Sequence, residues 1–131
     1  MGAWGTDSFA NDDAMDWIAE LEARGLAATG GAFAAVDETA DDYLDAVMSS
    51  CALAAAEVTA ALHGRSSATI PEEIATWVAA NPGDPGKALL SSARRIVDVV
   101  GKQSELRDLW EESDEFEIWR AELADLKTRL G

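Results

Sequence analysis

Apolar residues recur every three or four positions along most of this chain, and this spacing restricts the chain to helical folds. Such spacing places apolar side chains on one face of an α-helix. Twenty-six alanines strengthen the preference, because alanine is the best helix former. No stretch shows the alternation typical of a β-strand. The sequence therefore predicts an all-α fold, a compact bundle of five or six helices without a sheet. The clearest apolar stripes are Ala14, Trp17, Ile18 and Leu21, and Phe116, Trp119, Leu123, Leu126 and Leu130.

Length and local breaks predict how these helices are arranged along the chain. At 131 residues and 48% hydrophobic content, the chain is expected to form one domain, 1–131, with its own core. Residues 1–10 have an irregular, glycine-punctuated pattern and are expected to pack on the bundle as a non-helical segment. Asn11 or Asp12 can cap the first helix. The sequence Thr29-Gly30-Gly31 predicts a break before a short helical turn.

The net charge of −15, from 25 acidic and ten basic residues, limits the partners that the chain can bind. No basic stripe is present, so we expect no binding to nucleic acid phosphates. An anionic membrane surface would repel the chain for the same reason. No apolar run approaches the roughly 18 residues that a membrane-spanning helix needs. The charge favours a basic protein partner, attracted by electrostatic steering.

The chain has a single cysteine and a single histidine, which leaves few means of nucleophilic catalysis. Cys51 cannot form an internal disulfide, and a lone cysteine fits a reducing cytoplasm. Its neighbours Ala52, Leu53 and Ala54 favour a role as a small core side chain. His63 precedes a glycine at a predicted helix end, where we expect it to cap the helix or lie on the surface.

Several short motifs resemble those of a known bacterial family. The chain opens with Met-Gly-x-Trp-Gly, followed by Phe-x-Asn-Asp and an acid-Trp pair. The other motifs are Ala-Leu-Ala-Ala-Ala-Glu-Val (52–58), Pro-Glu-Glu-x-x-x-Trp (71–77), Ser-Glu-Leu-x-x-Leu-Trp-Glu-Glu (104–112) and Trp-Arg-x-x-Leu-x-x-Leu-x-x-Arg-Leu (119–130). Together they resemble the family called domain of unknown function 4259. The resemblance implies no activity. It does imply that the helical spacing from Ala40 to Leu62 is interrupted before Ser49 or Ser50.

Two copies of Asp-Asp-x-x-Asp, beginning at Asp12 and Asp41, are the most suggestive metal-binding pattern. On helical enzymes, carboxylates one turn apart can hold magnesium against a pyrophosphate. At 100° per residue, however, Asp12 and Asp16 point away from the apolar stripe of their helix. Asp42 and Asp45 also point outward if their segment is helical. We therefore expect neither copy to bind a metal.

Glu57 is the most unusual acid, because it lies among small apolar residues of an alanine-rich helix. A carboxylate buried there needs a partner, since an unpaired buried charge is costly. Arg94, Arg95 or backbone N–H groups of the glycine-rich opening could supply one. The interpretation that we favour is a buried polar contact that fixes the packing of the helices.

Five tryptophans are many for a core of this size. Trp17, Trp77 and Trp119 lie on helical stripes and are expected in the core. Trp110 precedes two glutamates and is expected to be half-exposed. Trp4 either closes one end of the bundle or forms part of a binding surface, with Gly2 and Gly5 allowing a tight turn.

These features favour a non-enzymatic cytoplasmic module, similar to an immunity or inhibitor protein, that binds a basic protein partner. The alternatives are a small metal-dependent hydrolase that uses the aspartate clusters and a ligand-sensing domain built on the N-terminal aromatic residues. No catalytic residue, metal ligand or cofactor is predicted. The candidate binding residues are Trp4, Phe9, Asn11, Trp17, Glu57 and Trp110.

Overall fold

The structure is a computed structural model that describes residues 5–39 and 43–131. Within these two ranges it contains seven α-helices and no strand, so the predicted all-α class is confirmed, while the predicted number of five or six helices is wrong. The helices are α1 (Asp12–Arg24), α2 (Ala27–Glu38), α3 (Ala46–Leu62), α4 (Glu72–Ala80), α5 (Lys87–Lys102), α6 (Glu105–Glu111) and α7 (Phe116–Leu130).

The alanine-rich helix α3 lies at the centre and packs against all six other helices. Twelve of its seventeen residues are buried, including five alanines between Ala52 and Ala60. Because alanine side chains are short, six neighbouring helices can approach one central helix closely. The buried core draws side chains from every helix and also includes Phe9 from the segment before α1. Asn11 caps α1 by accepting a 2.8 Å hydrogen bond from the Ala14 N–H, and Gly25 ends that helix.

The predicted break at Thr29-Gly30-Gly31 is wrong, because α2 runs through both glycines. Its buried face includes Thr29, Phe33 and Val36, and it packs extensively against α3. Each glycine costs a helix interior about 1 kcal/mol relative to alanine. Burying a large apolar side chain such as Phe33 contributes roughly 1.5–3 kcal/mol, which outweighs that local cost. The sequence predicted only a short helical turn in this region, and the structure has a helix of twelve residues.

The predicted break before Ser49 or Ser50 is also wrong, because both serines lie inside α3. The helix begins three residues earlier, where the Asp45 carboxylate accepts a 2.7 Å hydrogen bond from the Met48 N–H. Glu105, at the start of α6, forms two hydrogen bonds to the main chain at the start of α3. Its carboxylate accepts a 2.7 Å hydrogen bond from the Ala46 N–H, and its own N–H donates to the carbonyl of Leu44 at 2.8 Å.

Helices α5 and α7 pack side by side and run antiparallel. Arg94 donates to the carbonyl of Leu130 at 2.7 Å, and the Lys127 ammonium lies 2.7 Å from the Asp98 carboxylate. One turn further along α5, a Cβ on Gly101 would lie 3.2 Å from a methyl group of Leu123. Residues later in α5 thus contact residues earlier in α7, as expected for two antiparallel helices. Gly101 therefore allows the C-terminal turn of α5 to lie against the middle of α7.

Candidate functional site

Glu57 forms the most buried ion pair among the described residues. It lies on α3 with 4% of its surface exposed. The Arg129 guanidinium donates two hydrogen bonds to its two carboxylate oxygens, at 2.8 and 3.0 Å. The Ser8 hydroxyl donates a third, at 3.1 Å. This buried carboxylate is therefore neutralised and hydrogen-bonded, as a stable fold requires.

Further contacts hold Arg129 in place. Its Nε donates to Asp125 at 2.8 Å, and its Nη1 also lies 3.3 Å from the carbonyl of Arg65. Burial disfavours the charged guanidinium, but the hydrogen bonds and charges of Glu57 and Asp125 outweigh burial and raise the pKa of Arg129 above its usual value. The guanidinium is permanently charged. Nearby, burial and the charges of Asp7 and Asp125 raise the pKa of Glu122.

The predicted partners of Glu57 are wrong, although its burial was expected. Arg95 lies 2.5 Å from Asp37, and Arg94 binds a main-chain carbonyl of α7. In the part of the opening segment that the structure describes, residues 5–11, the contact to Glu57 comes from the Ser8 side chain and not from a backbone N–H. Arg129 follows Leu126 by three positions and therefore lies beside the apolar stripe of α7. This spacing is the one sequence signal that Arg129 faces α3.

The predicted aromatic binding residues lie mostly in the core. Phe9, Trp17 and Trp110 are each about 5–6% exposed. The expectation that Trp110 is half-exposed is wrong, because its ring stacks on Trp119 with centroids 6.5 Å apart and an interplanar angle of 17°. Asn11 caps α1, and Trp4 lies outside the described residues. A binding role for these residues stays a prediction.

Trp77 is half-buried, although its stripe predicted a core position. It lies beside the end of α3, where His63 occupies the C-capping position. The His63 Nδ1 lies 2.7 Å from an Asp84 carboxylate oxygen, and this hydrogen bond lowers the pKa of Asp84. His63 thus joins the end of α3 to the loop before α5.

The first aspartate motif faces solvent at its outer positions. Asp12 and Asp16 are exposed and Asp13 is half-buried, while Asp41 and Asp42 of the second motif lie outside the described residues. Within the described ranges, no group of three or more histidine, cysteine, aspartate or glutamate side chains is arranged to hold a metal ion. In the same ranges, no helix is both long and apolar enough to cross a membrane.

Two large apolar side chains are exposed at the start of α3. Tyr43 is 58% exposed and Val47 is 55% exposed, and four chain positions separate them. We call these two residues the Tyr43–Val47 patch. Cys51, one turn after Val47, is half-buried on the same helix face. Spacing alone placed Tyr43 and Val47 in a helical stripe, whereas the structure leaves both without cover among the described residues.

Acidic side chains surround this patch on both sides. On one side, burial and the charges of acids on α1 and at the α3 start raise the pKa of Cys51 to about 11. On the other side, the Tyr43 hydroxyl donates a hydrogen bond to Asp108, which raises the pKa of Tyr43 to about 12. Arg107 offsets part of the charge near Asp108, at 4.0 Å. The acids acting on Cys51 or Tyr43 are Asp13, Asp16, Glu20, Asp45, Glu105, Asp108 and Glu112.

Comparison with known proteins gives a family without an assigned activity. The model of the family described as domain of unknown function 4259 matches residues 2–122 of the 131. The chain belongs to this family. No curated protein and no solved structure matches it. The 4259 family match covers six of the seven helices completely, together with the first part of α7.

Proposed function

We propose that the chain is a non-enzymatic protein-binding module that docks a basic partner on the Tyr43–Val47 patch. The observation that carries this proposal is the combination of two exposed apolar side chains with four acids beside them, Asp45 between the two in the chain and Glu105, Asp108 and Glu112 near Tyr43. Apolar contact area with a charged rim is the usual composition of a protein interface. The proposal includes the cytoplasm as location, which the single cysteine favours.

Charge complementarity identifies the partner's chemistry. A net charge of −15 creates a negative potential that attracts basic proteins and repels acidic ones. The partner surface that fits is therefore apolar at its centre and rich in lysine and arginine around it. An immunity or inhibitor protein that covers the active surface of a basic toxin or enzyme would act in this way. This assignment rests on the patch and its charge, and not on the fold.

The positions of the residues that the two alternative functions need also favour this proposal. A metal-dependent hydrolase would need carboxylates that converge on one ion. Two of the three aspartates of the first motif, Asp12 and Asp16, instead lie exposed on α1. The ligand-sensing alternative depends on Trp4, which lies outside the described residues, and on Phe9 and Trp17, which are buried in the core. Tyr43 and Val47, in contrast, are more than half exposed among the described residues.

A basic amphipathic peptide tests the docking surface directly. We suggest a helical peptide with leucines on one face and lysines on the other, titrated into the protein and followed by amide chemical shifts. The proposal predicts that the largest shifts fall at residues 43–51 and in the surrounding acidic segments. It also predicts that added salt weakens the binding, because ions screen exposed charges beyond about 10 Å at 0.1 M.

A matched pair of variants separates docking on the patch from general attraction to an acidic surface. Val47→Lys places a charge in the patch, whereas Ile118→Lys makes the same change at another apolar side chain, 53% exposed on α7. Val47→Lys should weaken peptide binding at least about tenfold, a loss of about 1.4 kcal/mol. Ile118→Lys should leave the affinity within about twofold of the parent. Equal weakening by the two variants, or shifts spread over the whole surface, would overturn the proposal.

A further inference from the structure

Helices α5 and α7 flank an open surface cleft of about 220 Å³ near the C-terminal end of α5. We call it the α5–α7 cleft. Its apolar wall includes Val97, Gly101 and Leu123, and Leu123 packs so closely on Gly101 that a Cβ there would lie 3.2 Å from its methyl group. A volume of 220 Å³ equals about seven water molecules and is below the roughly 300–1,000 Å³ of sites for drug-sized ligands. The cleft therefore suits a small molecule.

The charge of this cleft is opposite to that of the whole chain. Lys102, Arg120 and Lys127 line it together with Asp98, and Glu117 lies 3.2 Å from Arg120, which leaves a local charge of +1. The chain has ten basic residues and a net charge of −15. Three of the ten therefore surround a single small cleft. This concentration of positive charge would attract an anion that the rest of the surface repels.

The three basic side chains differ in whether they already form an ion pair within the protein. The Lys127 ammonium lies 2.7 Å from Asp98, and Arg120 lies 3.2 Å from the exposed Glu117. Lys102 forms no ion pair or hydrogen bond within residues 5–39 and 43–131. Lys102 can therefore bind an anion without losing a protein contact, and Arg120 can do so by releasing an exposed glutamate.

We propose that the α5–α7 cleft binds a small organic anion, with its carboxylate or phosphate group on Lys102 and Arg120 and a short apolar part against Val97 and Leu123. Ammonium and guanidinium groups form charge-assisted hydrogen bonds to such anions. The apolar wall favours a ligand with a hydrocarbon part over a bare inorganic anion. This site is separate from the Tyr43–Val47 patch and does not depend on the proposed protein-binding function.

Sodium hexanoate is the probe that tests this proposal, with hexylamine and inorganic phosphate as comparison ligands. Each is titrated into the whole chain while the amide shifts of Gly101, Lys102 and Ala124 are followed. Hexanoate should produce saturable shifts at these amides. Hexylamine, which has the same chain with the opposite charge, should produce none, and phosphate should bind at least about tenfold more weakly. Equal shifts with hexylamine, or no saturable shift with hexanoate, would overturn the proposal.

Charge reversals at the two ends of α5 supply the control. Lys102→Glu should weaken hexanoate binding about fivefold or more, since it replaces an attraction with a repulsion. Lys87→Glu makes the same charge change on the first turn of the same helix, outside the cleft, and should leave the affinity unchanged. Both positions are exposed, so both variants are expected to fold. Equal loss of affinity in the two variants would show that total charge alone attracts the anion, which would overturn the site.

Discussion

Glu57 and Arg129 join the central helix to the last helix through two parallel hydrogen bonds of 2.8 and 3.0 Å. Ser8 adds a hydrogen bond from the segment before α1. Three parts of the chain that are far apart in sequence therefore meet at one buried carboxylate. Because the pair is bidentate and shielded from solvent, it constrains the relative positions of these parts more strongly than a surface ion pair would.

Replacing Glu57 by glutamine should lower the free energy of unfolding by about 3 kcal/mol, because Arg129 would lose its buried counter-ion and keep the exposed Asp125. Chemical denaturation of the parent and the variant measures the difference. Glu20→Gln is the matched control, since Glu20 pairs with Arg24 at 3.4 Å with both side chains 57% exposed. It should cost at most about 1 kcal/mol. A Glu57→Gln variant as stable as this control would contradict the structural role of the pair.

Gly30→Ala should stabilise the protein by about 0.5–1 kcal/mol. Gly30 lies inside α2, and an added Cβ would meet no atom within 4 Å. Alanine favours the helix and loses less conformational entropy on folding. Gly25→Ala is the control, because Gly25 has a φ of +63° at the end of α1 and should lose stability on the same change. Thermal melts should show opposite shifts, and parallel shifts would contradict a continuous α2.

The helices with strong local signals were predictable, and those that depend on distant contacts were not. The stripes of α1 and α7 lie where the spacing places them, because one face of each helix meets the core. Helix α2 was predicted only as a short turn, because its glycines oppose helix formation locally and Phe33 and Val36 favour it only once α3 is present. The burial of Glu57 was inferred from its neighbours. Its partner was not, because Arg129 lies 72 positions away.

The Tyr43–Val47 patch could not be predicted from the sequence, for a different reason. Periodicity identifies an apolar stripe but not the element that covers it. Tyr43 and Val47 share helical spacing with Leu44, yet Leu44 is 2% exposed and the other two are more than half exposed. Glu105 of α6 fixes the main chain at Leu44 and Ala46, beside these side chains. Its two contacts join residues about 60 positions apart and have no local signal in the sequence.

Tyr43 should titrate with a midpoint near pH 12 in the folded protein, above the unfolded value of about 10. A raised tyrosine pKa contributes stability that is complete below about pH 10 and is lost as the pH rises through about 12. Tyr43 is the chain's single tyrosine, so tyrosinate absorbance reports on it alone. Asp108→Asn should lower the midpoint towards the unfolded value. An unchanged midpoint in that variant would argue against the Tyr43–Asp108 hydrogen bond.

Glu122→Gln should stabilise the protein at neutral pH. Burial and the charges of Asp7 and Asp125 raise the pKa of Glu122, so its ionised form is unfavourable in the fold. The resulting loss of stability begins as the pH rises through the unfolded pKa and is complete above the raised folded pKa. The stability gain should therefore shrink below about pH 4. Unfolding followed between acidic and neutral pH measures it. Glu22→Gln, at an exposed position on α1, should change little.

The central position of α3 has a consequence for how the bundle opens. A helix at the edge of a fold can detach alone, and its amides then exchange with solvent through small local fluctuations. Because α3 contacts every other helix, its amides can reach solvent only when the neighbouring helices separate from it. We therefore expect its backbone hydrogens to exchange most slowly and to report the global free energy of unfolding. The alanine side chains of α3 are short enough for the other six helices to pack on it. We therefore expect the seven helices to unfold as one cooperative unit.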